Sequence, residues 1–387
     1  MTNRSQSIAI VGAGLSGLYA AYLLQQQGFH HYQVFEARAR PGGRIASLRL
    51  ADSADNFDLG PTWYWPELQP ELHQFINQLG LKSFRQQDEG DLIVEAAGAG
   101  GLLRYPGYRN ELLTLRLEGG MFALISALLA KIPADKIAYQ HAVTAISLAD
   151  QQVKLTWHAS SHGLNCEQQR THSVSDKMTE SGALDWSLFD QVIVAAPPRL
   201  LANTIDFSPA LPASLQHAWQ RTATWMAPHA KFIAVYDTPF WREQGLSGAA
   251  RSQVGPIAEL HDASVPQGAA ALFGFIGIPA HIRAQMGEQQ LKAQCQAQLV
   301  RLFGEQAARP RAIALQDWAT ESFTATSQDS AATPSHPEAP EWQVQQGPWQ
   351  HKLVAAGSEW SNRYAGYLAG CLDAATRAVN AVIKAKN

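Results

Sequence analysis

The run Ile8-Ala9-Ile10-Val11-Gly12-Ala13-Gly14-Leu15-Ser16-Gly17 carries the strongest structural signal in the chain. Four apolar residues in a row suit a strand buried on both faces of a parallel sheet. The glycines that follow have GxGxxG spacing. Gly12 makes the tight turn, Gly14 lets the backbone approach a pyrophosphate, and Gly17 lets the next helix pack on the strand. Leu15 to Gln27 reads as that helix, closed by Gly28, with its N-terminus facing the phosphates. Tyr32 to Glu36 reads as a second strand. Glu36 ends it 19 residues after Gly17, where a carboxylate accepts hydrogen bonds from the ribose hydroxyls of an adenosine. Strand, helix and terminal acid together point to a dinucleotide site; the alternative is a glycine turn without a ligand. The motif alone does not separate NAD from FAD.

The rest of the composition narrows the class. A chain of 387 residues has room for two or three domains at about 150 residues each. Thirty basic and 33 acidic residues leave a net charge of -3, which builds no field for nucleic acid or an anionic membrane. Cys166, Cys295 and Cys371 form no CxxC pair, and the 13 histidines, His30-His31 among them, show no ligand spacing. No metal site is expected. HExxH, a P-loop and a GxSxG elbow are all absent from the sequence. The strand at Ile8 leaves no room for a signal peptide before it. The apolar stretches Met121–Ala130 and Ala269–Ala280 are too short to span a bilayer. The expectation is a soluble, cytoplasmic protein with no nucleic-acid partner and no membrane span; its oligomeric state stays open.

Further along, Glu67 to Leu79 is amphipathic, with Leu68, Leu72, Phe75, Ile76 and Leu79 on one face. Met121, Leu124, Ile125, Leu128 and Leu129 have helical spacing after the turn Gly119-Gly120. Val153–Trp157, Gln191–Ala195 and Lys231–Tyr236 read as strands. Two polar stretches, 158–185 and 326–347, look like excursions from the core, the second carrying Pro334, Pro337 and Pro340.

The segment after Glu36 favours FAD. In Glu36-Ala37-Arg38-Ala39-Arg40-Pro41-Gly42-Gly43-Arg44 a second glycine turn and a cation follow the ribose site. They can wrap the far side of a longer cofactor, with Arg44 countering its phosphates. Here the sequence resembles the flavin-containing amine oxidase family, the monoamine oxidase and L-amino-acid oxidase group. The resemblance runs from Ile8 to about Ala378, more loosely over 85–115 and 245–310. Asp58-Leu59-Gly60-Pro61-Thr62-Trp63 is similar to the family loop beneath the flavin ring. Ala142-Val143-Thr144-Ala145-Ile146 is similar to the strand whose valine sits by the adenine. Ile193-Val194-Ala195-Ala196-Pro197-Pro198 is similar to its strand-and-proline segment. Ala356-Gly357-Ser358-Glu359, then Gly366-Tyr367-Leu368 and Gly370, is similar to its C-terminal FAD-binding block. Gly366, Gly370, Ala374 and Ala378 recur every four residues, a smooth ridge for a close-packed backbone or a flat ring.

The resemblance implies an α/β fold: a Rossmann-like FAD-binding domain, mainly a parallel sheet with helices, interleaved with an α+β substrate domain. The first would draw on 1–84, 136–222 and 321–387, the second on 85–135 and 223–320. It also implies that Lys231 reaches the flavin N5 through a water, although by itself Lys231 could equally lie in solvent just outside its strand. Tyr367 matches one of two aromatics flanking the substrate nitrogen. Trp63, Trp65, Phe323 and Trp360 are candidates for the cavity wall, and Trp318 lies in a flavin-facing block. Two positions depart from the family pattern. Ungapped counting puts Gln328 where the second aromatic belongs and Ser327 where monoamine oxidases carry the cysteine that bonds FAD. Non-covalent FAD is expected. The expected reaction is oxidation of an amine or amino acid to an imine, with dioxygen reoxidising the flavin to give hydrogen peroxide. Carbon–carbon desaturation of the carotenoid desaturase or protoporphyrinogen oxidase kind, and a non-catalytic FAD-binding scaffold, are the rival expectations.

Overall fold

A computed structural model describes residues 5–53, 55–98, 101–107, 111–159, 184–331 and 336–384. Strand β1 (Ile8–Val11), helix α1 (Leu15–Gln26) and strand β2 (Tyr32–Glu36) form the expected βαβ start. They belong to a five-stranded sheet in the order Leu353–Ala355, Gln191–Val194, β1, β2, Ile137–Tyr139, and every neighbouring pair is parallel. Both faces of β1 are used, which is why its sequence is continuously apolar. Ile8 and Ile10 join the core under α1 and the C-terminal helix Leu368–Lys384. Ala9 and Val11 join Ile146, Leu155 and Trp219 on the other side. That side is covered by a four-stranded sheet ordered Leu184–Phe189, Gln152–Ala159, His141–Ala149, Asp206–Ser208.

A seven-stranded sheet makes the second body: Ala312–Asp317, Ala230–Tyr236, Ala270–Ile276, Ile257–Asp262, Leu246–Ser252, Asp91–Glu95, Leu102–Tyr105. Alternation sorts its central strand. Phe232, Ala234 and Tyr236 pack with Leu291, Cys295 and Leu299 of the helix Glu288–Phe303. Ile233 and Val235 face Phe57, Leu59 and Trp63 of the first body. Because side chains on a strand alternate, Lys231 shares this second face and sits where the two bodies meet.

Some expectations shift. The amphipathic stretch 67–79 is helical only over Pro70–Gln78, and Leu68, assigned to its buried face, is 53% exposed ahead of the helix. Pro70 explains the late start, since proline suits a first turn and disfavours helix before it. Of the segment 85–135, the strands Asp91–Glu95 and Leu102–Tyr105 join the seven-stranded sheet, whereas Leu115–Leu117 and the helix Phe122–Leu129 pack in the core under α1. Gly366 is not on the C-terminal helix, which begins at Leu368; it turns at φ 82° just before it. The ridge therefore starts at Gly370, and Ala374 and Ala378 are spent on packing. The polar stretch 158–185 lies almost entirely outside the described residues, as does Pro334.

Candidate active site

The glycine turn is shaped for backbone approach. Gly12 turns at φ 106°, and a Cβ on Gly17 would lie 1.9 Å from the Gly12 carbonyl oxygen, so neither position admits a side chain. The second glycine turn lies against the first: the Gly42 N–H donates to Ala13 O at 2.8 Å, and a Cβ on Gly43 would come within 3.4 Å of Gly14 Cα. Leu15 and Ser16 follow, both buried at the start of α1. Glu36 is buried at the end of β2, accepting from the Ala13 N–H at 2.8 Å and the Arg38 N–H at 2.9 Å. Arg38, one residue beyond Ala37, donates to Glu321 and Thr324.

Distant ends of the chain close on this turn. Leu353–Ala355 pairs beside Gln191–Val194, and the Ala356 N–H donates to Val194 O at 2.9 Å. A Cβ on Gly357 would lie 3.2 Å from Ala196 O. Arg44, from the second glycine turn, grips Glu359 with both guanidinium arms at 2.5 and 3.0 Å, and also donates to Ser358 Oγ at 3.1 Å. Burial alone would raise the Glu359 carboxyl, but the Arg44 charge and its hydrogen bonds outweigh it and hold the group below the usual carboxylate range. On the C-terminal helix, burial pushes the Cys371 thiol up, with Ser16 and Ser358 pulling it down.

Lys231 is 2% exposed. Its Nζ donates to Gly60 O at 3.0 Å and to Thr62 Oγ1, and it lies 4.0 Å from the Phe273 ring centroid. The lysine thus faces the Gly60-Pro61-Thr62 loop, not solvent. Burial pushes its ammonium down to about 7; Asp58 pulls the other way and Arg116 pushes it further down. Asp58 is pushed up to about 6, chiefly by burial, against the pull of Lys231, Arg116 and the Met121 N–H. One Asp58 oxygen accepts from Met121 at 2.7 Å, while its Oδ2 is buried without a hydrogen-bond partner among the described residues. Burial thus disfavours the charged form of both groups, and each offsets part of that cost for the other.

Aromatic rings line the same face. Trp63 donates to Gln86 Oε1 at 2.7 Å and packs on His261 and Phe273, with centroids at 4.8 and 5.3 Å. Phe275 is the cross-strand neighbour of Lys231. Trp65 donates to Thr114 and meets Tyr367 edge to face at 6.3 Å. Trp318 is buried with its Nε1 donating to Leu59 O at 3.1 Å, beside Gly60, and Leu368 packs at the start of the C-terminal helix. Val143 is half-buried on the strand His141–Ala149, against the core that flanks β1. Two expected wall residues are elsewhere. Phe323 is 42% exposed and stacks under the Arg38 guanidinium at 5.5 Å. Trp360 is a core residue, fully buried against Trp219 at 5.4 Å; close packing over Gly357 turns it inward. The partners of Trp63, namely His261, Phe273 and Phe275, were not among the sequence candidates. Phe273 and Phe275 lie two apart on a strand, a signal for one shared face.

Comparison with known proteins bears on this geometry. Residues 91–383 match the family described as flavin containing amine oxidoreductase, and residues 10–79 match the NAD(P)-binding Rossmann-like domain. The chain is 27% identical over 96% of both lengths to a probable flavin-containing monoamine oxidase A of Dictyostelium discoideum. It is 25% identical to the flavin-containing amine oxidase B of Sus scrofa over 98% of this chain and 86% of that one. Among solved structures, a putrescine oxidase bound to putrescine matches with a TM-score of 0.74 at 20% identity, covering 98% of this chain and 99% of that one. The cyclohexylamine oxidase from Brevibacterium oxydans matches with 0.75 at 21%, with the same coverage.

Proposed function

The chain belongs to the flavin containing amine oxidoreductase family, and on that premise we propose that it oxidises a small amine or amino acid with non-covalently held FAD. The carbon–nitrogen single bond loses two electrons and two protons to become an imine, which water hydrolyses. Dioxygen takes both electrons and both protons and leaves as hydrogen peroxide. The observation that carries this reading is the buried Lys231, placed between the Gly60–Thr62 loop and the aromatic face of Trp63, Phe273 and Phe275.

The residues present fit FAD. Gly12, Gly17 and Gly43 let the turn backbones pack closely while Gly14 keeps its outer side open, and Leu15 and Ser16 open a helix whose N-terminus favours phosphate. Glu36, with Ala37 and Arg38 beside it, suits the ribose end. Arg44, Gly357, Ser358 and Glu359 would hold the middle of the cofactor. Gly60, Pro61, Thr62, Trp63 and Trp318 would lie along the ring, Val143 and Ala196 along the nucleotide, and Gly366, Tyr367 and Leu368 at the far end. When bound, FAD supplies the two-electron acceptor that amino-acid side chains lack. Lys231 holds a proton at Nζ, on Gly60 O and Thr62 Oγ1, where it can orient a water. Trp63, Trp65 and Tyr367 exclude bulk water and orient the amine. No Cys stands near Ser327 in the sequence, which supports the non-covalent mode.

The domain division forms part of the same reading: 1–84, 136–222 and 321–387 for FAD, with 115–129 added by its packing, and the remainder for substrate. No helix among the described residues is long and apolar enough to cross a membrane. We read the protein as cytoplasmic.

Anaerobic titration of the holoenzyme with a panel of primary amines and L-amino acids tests the reaction. At least one member should bleach the flavin absorbance band, and admitting air should restore it with one hydrogen peroxide per cycle. Bleaching by a polyene or porphyrinogen alone would move the chemistry to carbon–carbon desaturation. Bleaching by nothing would leave a binding scaffold.

A further inference from the structure

The short segment from Trp225 to Lys231 carries a titratable ring that the reaction above leaves unused. At one end, Trp225 O accepts from Arg44 at 3.4 Å; at the other, Lys231 enters its strand. His229 lies between them. The Trp318 N–H donates to His229 O at 3.0 Å, extending by one residue the register that pairs Ala230 with Asp317. Alternation then puts the imidazole on the face of Lys231, Ile233 and Val235. Its ring meets Phe275 edge to face at 6.5 Å. Phe275 in turn lies 5.9 Å from Lys231 Nζ and 6.5 Å from the Trp63 ring. The histidine therefore stands at the same aromatic wall as the lysine.

The fold does not use up its nitrogens. Nδ1 is buried with no hydrogen-bond partner among the described residues, and such an atom in a native structure needs an explanation. Burial and the Arg283 charge hold the imidazole below its ordinary value, against the pull of the Met226 backbone, so the ring is neutral near pH 7. The cations around it are already committed. Arg283 is clasped by both Asp317 oxygens at 2.6 and 2.7 Å and donates to Pro228 O at 2.8 Å. Lys231 Nζ donates to Gly60 O and Thr62 Oγ1, where the Asp58 charge also acts on it. A neutral imidazole, by contrast, offers a lone pair.

Turning a carbon–nitrogen single bond into an imine releases two electrons and two protons. One proton travels with the electron pair to the cofactor, and the other must leave the nitrogen. We propose that His229 takes this second proton from the substrate nitrogen as the double bond forms, and holds it until dioxygen leaves as hydrogen peroxide. The inference rests on the amine-oxidising reading of this site. The count closes: the cofactor carries two electrons and one proton, the imidazolium carries the other proton, and dioxygen collects all of them. An electron pair accompanied by one proton makes the cofactor one charge more negative. A cation on the histidine offsets that charge, so each change favours the other.

The test is the reduction potential of bound FAD against pH, measured in the holoenzyme with dithionite and reference dyes, without any amine. Each proton taken up with two electrons shifts the reduction equilibrium tenfold per pH unit, about 30 mV. Between about pH 7 and 8, wild type should fall about 100-fold per unit, about 60 mV, and His229→Gln only about tenfold, about 30 mV. His229→Asn should repeat the shallow slope with a smaller side chain, while Lys231→Met and Asp58→Asn keep the steep one. A wild-type slope of about 30 mV overturns the proposal, as does a steep slope that survives in the His229 variants. So does a slope flattened by Asp58→Asn or Lys231→Met alone. Each of these leaves the amine reaction standing. A wild type that holds no FAD removes the proposal together with the reading beneath it.

Discussion

Glu359→Leu should cost about 3–5 kcal/mol of folding stability and leave a protein that no longer retains flavin. Glu359 is fully buried, and its carboxylate takes both arms of Arg44 as well as the Ser358 hydroxyl. Removing the carboxylate leaves the Arg44 guanidinium, only about a quarter exposed, without its partner, and that uncompensated charge is the main loss. The double variant Arg44→Met/Glu359→Leu separates structure from binding. Apolar side chains of similar volume often replace a buried pair at little net cost, so the double variant should recover most of the stability in urea unfolding. Flavin retention should not return, because the polar groups that face the cofactor are gone. A loss below about 1 kcal/mol in the single variant, set against the range for breaking buried pairs, would show the pair to be incidental. Flavin recovered by the double variant would show that the pair does not hold it.

Lys231→Met should slow flavin reduction by amine, reoxidation by dioxygen, or both by about 100-fold or more, the range for a positioned proton-transfer group. Methionine keeps the apolar stem and removes the proton held at Gly60 and Thr62. Stopped-flow absorbance separates the two half-reactions, and rates unmoved in both would end the catalytic assignment. A pH signature accompanies it. The folded lysine has its value lowered to about 7 from 10.5, so the unfolded chain binds more protons between these limits. Its contribution to stability is complete above 10.5 and is lost as pH falls through 7. Wild-type stability should therefore gain across that window relative to Lys231→Met. Asp58 acts with the opposite sign: its contribution is present below 3.8 and lost as pH rises through about 6.

The first βαβ unit was legible because one short run meets several demands at once. Ile8 to Val11 is apolar at every position since both faces are buried, and Gly17 is required by the Gly12 carbonyl oxygen 1.9 Å from where its Cβ would be. Those requirements are local. The burial of Lys231 was not legible from its strand alone, because Asp58 and Thr62 lie about 170 residues earlier. Trp360 looked like a cavity wall from its place beside Glu359, yet adjacent residues in a tight turn point to opposite sides. Glu359 reaches Arg44, and Trp360 enters the core against Trp219. Phe323 drew attention as the aromatic nearest a gap in the family pattern, and Arg38 took it to the surface.

The most economical test is the visible spectrum of the purified protein, before and after acid precipitation. Two chain ends joined at Arg44 and Glu359 around a glycine-lined cradle should hold one FAD per chain, colouring the protein yellow. Precipitation should release all of it into the supernatant. A protein that is colourless, and stays so after incubation with FAD and gel filtration, would contradict the whole arrangement.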